Sequence, residues 1–205
     1  MDLEKIITSL ENRTPTIADM QNFTKFAVLI PLIKIEDELH ILFEVRALSL
    51  RRQPGEICLP GGKMDEEDEN EQVTAVRETV EELGIPQELI SIVAPLDFNI
   101  SPYGTIIYPF VGYLSKPELI KPNPSEVEKV FTVPLSFFMM NPPDCFKVNF
   151  HAEPEESFPY SLIHGGEKYK WQPRKLNEYF YYYEEFVIWG LTAKLIKQFV
   201  EHLQK

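Results

Sequence analysis

The sequence has little that would staple it, anchor it or export it. Two cysteines in 205 residues, Cys58 and Cys145, cannot build a disulfide framework, so the fold must rest on packing. Four histidines, His40, His151, His164 and His202, stand at no spacing that pairs them with either cysteine as a zinc ligand set. The longest apolar run, 26–33, is far shorter than the about 20 residues a bilayer helix needs. The N-terminal stretch has no basic segment leading into an apolar one, so no secretory signal is read there. Positive charge is also scarce. Twenty Lys+Arg against 32 Asp+Glu leave a net charge of −12, which repels phosphate backbones unless cations cluster locally. These deficits argue against nucleic acid and membrane as partners and lead us to expect a soluble, reduced, cytoplasmic protein.

What is present is enough for a core. Hydrophobic residues make up 44% and charged residues 25%, which excludes global disorder. No repeat, low-complexity tract or linker divides the chain, so one domain over 1–205 is expected, of α+β class. A helical lead-in over 1–25 carries Leu3, Ile6, Ile7 and Leu10 at helical spacing. Two β-rich runs, FAVLIPLI and LHILFEVR, flank an acidic turn at 36–38 and suggest a hairpin. A long connection over 47–72 contains Pro54, Gly55, Pro60, Gly61 and Gly62. A helix is predicted from about 69 to 83, with Asp68 and Glu71 at capping-box spacing and Gly84 then Pro86 as its stop. Further strands are expected at 89–93, 105–114 and 128–133, with loop and edge strands over 141–178. The aromatic run at 178–186 reads as a strand with one face in the core. A terminal helix over about 187–203 places Leu191, Leu195, Phe199 and Leu203 on one stripe.

The stretch 61–85 carries the most chemistry. On a helical wheel Val73, Val76, Val80 and Leu83 gather on one side, while Glu78 and Glu82 lie one turn apart on roughly the opposite side, with Glu81 at the margin. A helix anchored by valines and projecting three carboxylates is a plausible platform for a hard divalent cation. Clustered carboxylates repel one another unless a cation compensates them. The same residues also fit a plain solvated helix face, with Arg77 as a surface ion-pair partner and Gly61-Gly62 as a turn.

The whole string resembles the Nudix box, Gly-x5-Glu-x7-Arg-Glu-U-x-Glu-Glu-x-Gly-U. Arg77, Glu78, Glu81, Glu82, Gly84 and Ile85 fall in place, with Thr79 at the usually aliphatic position. Gly62 stands one residue further from Arg77 than the general pattern, so the first acidic position falls on Asp68 or on Glu69. The upstream segment ILFEVRALSLRRQPGEICLPGGK is similar to the longer signature of the coenzyme A pyrophosphatase branch of that family. Arg46, Leu50, Arg51, Gly55, Pro60, Gly61, Gly62, Asp65, Asp68, Thr74 and Ala75 match it by position, while Ala47 and Leu59 replace its Ser and Phe. The likeness runs over about 24–200.

The resemblance implies a Nudix α/β/α sandwich, a mixed sheet between the box helix and the C-terminal helix. It implies Mg²⁺ or Mn²⁺ held by Glu78 and Glu82 with Glu81 beside them. Arg77 is expected to orient Glu78, and Glu78 or Glu126 to activate water. Gly61 and Gly62 are expected to let the backbone pass close to the phosphates, and Arg46, Arg51, Arg52 and Lys63 to bind them. The implied reaction is hydrolysis of the diphosphate of coenzyme A or its thioesters to 3′,5′-ADP and 4′-phosphopantetheine or its acyl form. The alternatives are a hydrolase for another small nucleotide, such as ADP-ribose or a nucleoside triphosphate, and a non-catalytic binding module.

Overall fold

In the computed structural model, which describes residues 2–205, the hairpin at the centre forms as its composition requires. Strands β1 (Thr24–Ile35) and β2 (Glu38–Arg46) pair antiparallel, Ile35 opposite Glu38, around a two-residue turn in which Glu36 takes φ 53°. The long apolar run of β1 is explained by burial on both faces. Ala27, Leu29 and Ile33 enter one core cluster, whereas Ile30 and Leu32 enter the other.

Around this hairpin the sheet is mixed. Strand β7 (Thr105–Leu114) runs parallel to β1, and β5 (Ile90–Pro95) and β6 (Asn99–Ser101) pair antiparallel with β7. Strands β3 (Ile57–Cys58) and β8 (Val127–Pro134) pair with β2, and the short β4 (Gly61–Lys63) pairs with β1. Helix α2 (Glu71–Leu83) covers one face, contributing Ala75 and Leu83 to its core. Helices α3 (Leu135–Met140) and α4 (Gly190–Leu203) pack into the core on the other face, through Phe138, Leu195, Ile196 and Phe199. The layers are therefore helix, mixed sheet, helix. A second, three-stranded antiparallel sheet, β9 (Asp144–Phe150), β10 (Arg174–Tyr183) and β11 (Phe186–Trp189), docks beside α4 through Tyr181. No helix among the described residues is long and apolar enough to cross a membrane.

Several expectations need correction. Residues 187–189 are strand, because Val187 and Ile188 pair with Tyr182 and Tyr181, and α4 begins only at Gly190, at φ 65°. Its buried face is Ala193, Leu195, Ile196, Phe199 and Val200, one step round from the predicted stripe, so Leu191 and Leu203 remain exposed. The lead-in contains helix α1 (Leu3–Leu10), yet none of its residues is buried. Helix α2 is capped by Asn70, whose side chain accepts from the Val73 N–H at 3.1 Å, not by Asp68. Nor do valines anchor it. Val73 is exposed, and the buried residues are Thr74, Ala75, Thr79, Glu82 and Leu83. The buried Thr79 hydroxyl is satisfied within the helix, donating to the Ala75 carbonyl at 2.7 Å. The face against the sheet thus carries a carboxylate that the helical wheel had turned to solvent.

Gly84 ends α2 at φ 60°, and a β-carbon there would strike the Lys121 carbonyl oxygen. Gly104 has a similar φ of 73° but faces open space. Gly84→Ala should therefore lower stability by about 1–3 kcal/mol, and thermal melts should show a larger loss than for Gly104→Ala. Equal losses would mean that backbone strain alone, without the Lys121 contact, sets the cost.

Candidate active site

The approach to α2 is organised by Asp68. Its buried carboxylate accepts from the Asp65 N–H at 3.0 Å, from the Thr74 hydroxyl at 2.9 Å, and from Arg77 Nε and Nη2, both at 3.0 Å. That two-point guanidinium contact holds Asp68 well below the usual carboxylate range. Of the two residues that can fall at the first acidic position, Asp68 enters this network and Glu69 stays exposed. The same guanidinium places Nη1 2.8 Å from Glu78 Oε1 and 3.4 Å from Glu81, and Nη2 donates to the Lys63 carbonyl at 3.3 Å. Arg77 is thus fixed from one side by Asp68 and presents its other edge to Glu78. Glu81 sits on the exposed side of Arg77, with half of its side chain in solvent.

Glu82 is 5% exposed, and one of its oxygens accepts the Gly61 N–H at 2.8 Å. The glycine pair is demanded by what surrounds it. At Gly61, φ 152°, a β-carbon would meet the Ala27 carbonyl oxygen; at Gly62 it would fall on the Glu78 carboxylate. Helix and glycine turn are therefore in direct contact through both carboxylates. Burial pushes the Glu82 pKa up to about 8, with Glu78 and Glu126 adding to the rise and the Gly61 N–H and Arg46 opposing it. Burial raises Glu78 as well, against the lowering effect of Arg77.

Glu44, absent from the candidates named on sequence, belongs beside this pair. It is 1% exposed on β2, its Oε1 has no hydrogen-bond partner, and the Cys58 thiol stands 3.9 Å from its other oxygen. Burial raises its pKa well above the ordinary value, with the Glu82 charge adding to the effect. Burial and then Glu44 likewise keep the Cys58 thiol protonated. The available signal was one carboxylate inside the apolar run LHILFEVR.

Glu126 arrives by way of the carbonyl end of α2. The loop after β7 satisfies that end, Lys121 N–H donating to Leu83 O at 2.8 Å and Asn123 N–H to Glu82 O at 2.9 Å. The Asn123 amide then holds Glu126 Oε1 at 3.2 Å, and the Glu126 charge is felt by Glu44, Glu78 and Glu82.

A cleft of about 630 Å³ opens beside these residues, lined on one side by Arg46, Cys58 and Gly61. Its other walls come from Ile100 and Tyr103 and from the C-terminal unit, through Leu176, Leu191 and Lys194. Arg46 Nε is buried without a partner. Arg51, Arg52 and Lys63 are exposed and do not belong to the cleft lining. Among the described residues no three His, Cys, Asp or Glu side chains already converge as a cation cage. The donor chemistry nonetheless fits a hard divalent cation. The Glu78 charge adds to the burden on buried Glu82, and Mg²⁺ characteristically takes one or two carboxylates and fills its shell with water and phosphate oxygens.

Asp68→Asn should cost about 1–3 kcal/mol near neutral pH, because it removes one partner of a largely buried charged contact. The folded pKa of Asp68 is depressed, so its stabilisation is present above the unfolded value of 3.8 and disappears as pH falls below it. Melting temperatures of the two forms should differ at pH 7 and converge toward pH 2. A constant gap across that range would contradict the assigned role.

Residues 24–146 match the NUDIX domain model. The chain is 39% identical over 115 residues to the peroxisomal coenzyme A diphosphatase NUDT7 of Mus musculus, a match covering 56% of this chain and 49% of that protein, so about half of the relative's length. It is 32% identical over 179 residues to the uncharacterized Nudix hydrolase NudL of Photorhabdus laumondii, covering 87% of this chain and 84% of the relative. A crystal structure of a MutT/nudix family protein from Enterococcus faecalis superposes with a TM-score of 0.50 at 15% identity, over 100% of this chain and 71% of the other, which speaks for the fold alone. With the family model covering more than half of its length, the chain belongs to the Nudix family of hydrolases.

Proposed function

We propose that the protein hydrolyses the diphosphate of coenzyme A or its thioesters, releasing 3′,5′-ADP and 4′-phosphopantetheine or its acyl form. The observation that carries this reading is the contact between the Glu78–Glu82 pair and the Gly61-Gly62 turn at the wall of a cleft where Arg46 Nε waits unpaired. The likeness to a coenzyme A diphosphatase supports the choice of substrate.

In this reading Glu78 and Glu82 hold Mg²⁺ or Mn²⁺, with Glu81 at the rim. Such a cation neutralises diphosphate oxygens and lowers the pKa of a bound water. The chain's own residues do the positioning. Arg77, braced by Asp68, keeps the Glu78 carboxylate turned toward Gly62. The absence of side chains at Gly61 and Gly62 admits phosphate oxygens close to the backbone. Arg46 supplies a guanidinium fork to the phosphates from the cleft wall. In this reading Glu126, whose Oε1 accepts from the Asn123 amide, takes the proton of the attacking water, and Glu78 is the rival for that task. Apolar and aromatic groups at Ile100, Tyr103 and Leu176 suit the nucleoside base. Two free cysteines, Cys58 and Cys145, accord with a reducing cytoplasm.

Two measurements test this. Glu82→Gln should lower turnover by orders of magnitude while the fold survives; because its buried carboxyl carries a raised pKa, neutralising it should leave the melting temperature equal or higher at pH 8 in metal-free buffer. Near-wild-type turnover would remove Glu82 from the machinery. In a substrate panel with Mg²⁺ and Mn²⁺, kcat/KM for coenzyme A should exceed that for ADP-ribose, NADH and nucleoside triphosphates by about tenfold or more, a margin of about 1.4 kcal/mol. Victory of ADP-ribose or a triphosphate would overturn the substrate assignment.

A further inference from the structure

Arg46 and Lys194 are the two basic side chains lining the cleft, and neither forms an ion pair among the described residues. In a chain with 32 acidic residues, carboxylate partners are abundant. An anion entering this cleft therefore meets two basic groups that no salt bridge occupies, although Arg46 also acts on the nearby Glu44 and Glu82 charges.

Their frames are held by separate parts of the fold. Arg46 lies at the end of β2, where its N–H donates to the Glu56 carbonyl at 2.9 Å. Lys194 lies near the start of α4, which is tied to the main sheet by the Thr192 hydroxyl donating to the Ile57 carbonyl at 3.1 Å. Its neighbours Ala193 and Leu195 are fully buried, so helical geometry sends Lys194 outward into the cleft mouth. Ile100, Tyr103 and Leu176 offer apolar surface in the same cleft. Glu178 lines it too and makes no ion pair with Lys194, so an anion entering there gains from Lys194 while being repelled by Glu178. A ligand complementary to this cleft has one anionic group at Arg46, an apolar or aromatic body, and a second anionic group at Lys194.

We propose that Lys194 is a specificity-determining residue that reads a second phosphate, remote from the scissile diphosphate, on a nucleoside 3′,5′-bisphosphate portion of the substrate. The proposal rests on the diphosphate-hydrolase reading above. It assigns this recognition to a C-terminal helix rather than to the Arg51-Arg52 stretch, which lies outside the cleft lining.

The test is calorimetric binding of 3′,5′-ADP and of 5′-AMP to the whole protein, for wild type, Lys194→Ala, Lys194→Arg and Arg51→Ala. Wild type should bind 3′,5′-ADP about tenfold or more tightly than 5′-AMP. Lys194→Ala should bring the two affinities within about twofold of each other. Lys194→Arg and Arg51→Ala should keep most of the preference. Thermal melts check that each variant folds, which the exposure of Lys194 favours. A preference that survives in Lys194→Ala, or that is missing in wild type, overturns the inference. A preference that depends on Lys194 in a protein that fails to hydrolyse coenzyme A supports the inference and overturns the substrate reading instead.

Discussion

The arrangement depends on one contact, the hydrogen bond from the Gly61 N–H to the buried carboxylate of Glu82. It joins the helix that carries the acidic residues to the turn that leaves room beside them. A carboxylate at 5% exposure is expensive to ionise, and one backbone donor offsets only part of that cost. The fold accepts the remaining cost at a single place, together with Glu78 and Glu44, and surrounds that place with otherwise ordinary packing. Asp68 and Arg77 show the contrasting case. Their charges are opposite and their hydrogen bonds complete, so the pair stabilises the helix approach while aligning Glu78.

The sheet explains why these groups meet. Strand β1 runs between β2 and β7 and also receives the short β4, so the glycine turn is registered against Ala27 and Val28. Helix α2 crosses that same face, and its last carbonyls are satisfied by the loop that brings Asn123 and Glu126. The opposite layer adds something of its own. The small sheet and α4 form a wall of the cleft, so residues more than a hundred positions from the box border the same space.

Much of this was legible in the sequence. The hairpin at 24–46, the strand at 105–114 and the helix stop at Gly84 follow from apolar runs and turn residues that leave few options. The box helix was readable as a helix, but its inward face was not. Periodicity assumes that apolar residues go inside, whereas here Thr74, Thr79 and Glu82 do so, each satisfied by a specific hydrogen bond that no hydropathy pattern records. Glu44 escaped for a similar reason, since one charged residue in an apolar strand looks like a solvent-facing position until the neighbouring layer is known. The strand at 187–189 looked helical because Val187 and Ile188 extend the apolar pattern of α4, and only their pairing with Tyr181 and Tyr182 separates them from it. Lys194 is one of two lysines on the amphipathic helix α4, and only tertiary placement distinguishes it.

In the proposed reading the Glu78–Glu82 carboxylate pair on α2 is completed by a divalent cation. Anything that binds the folded state alone raises its stability in proportion to the logarithm of its concentration. The decisive measurement is therefore the melting temperature as a function of Mn²⁺ concentration at fixed pH and ionic strength, for wild type and for Glu78→Gln/Glu82→Gln. The melting temperature should rise with Mn²⁺ in the wild type and stay level in the double variant. Identical curves for the two proteins, whether rising or flat, would contradict it.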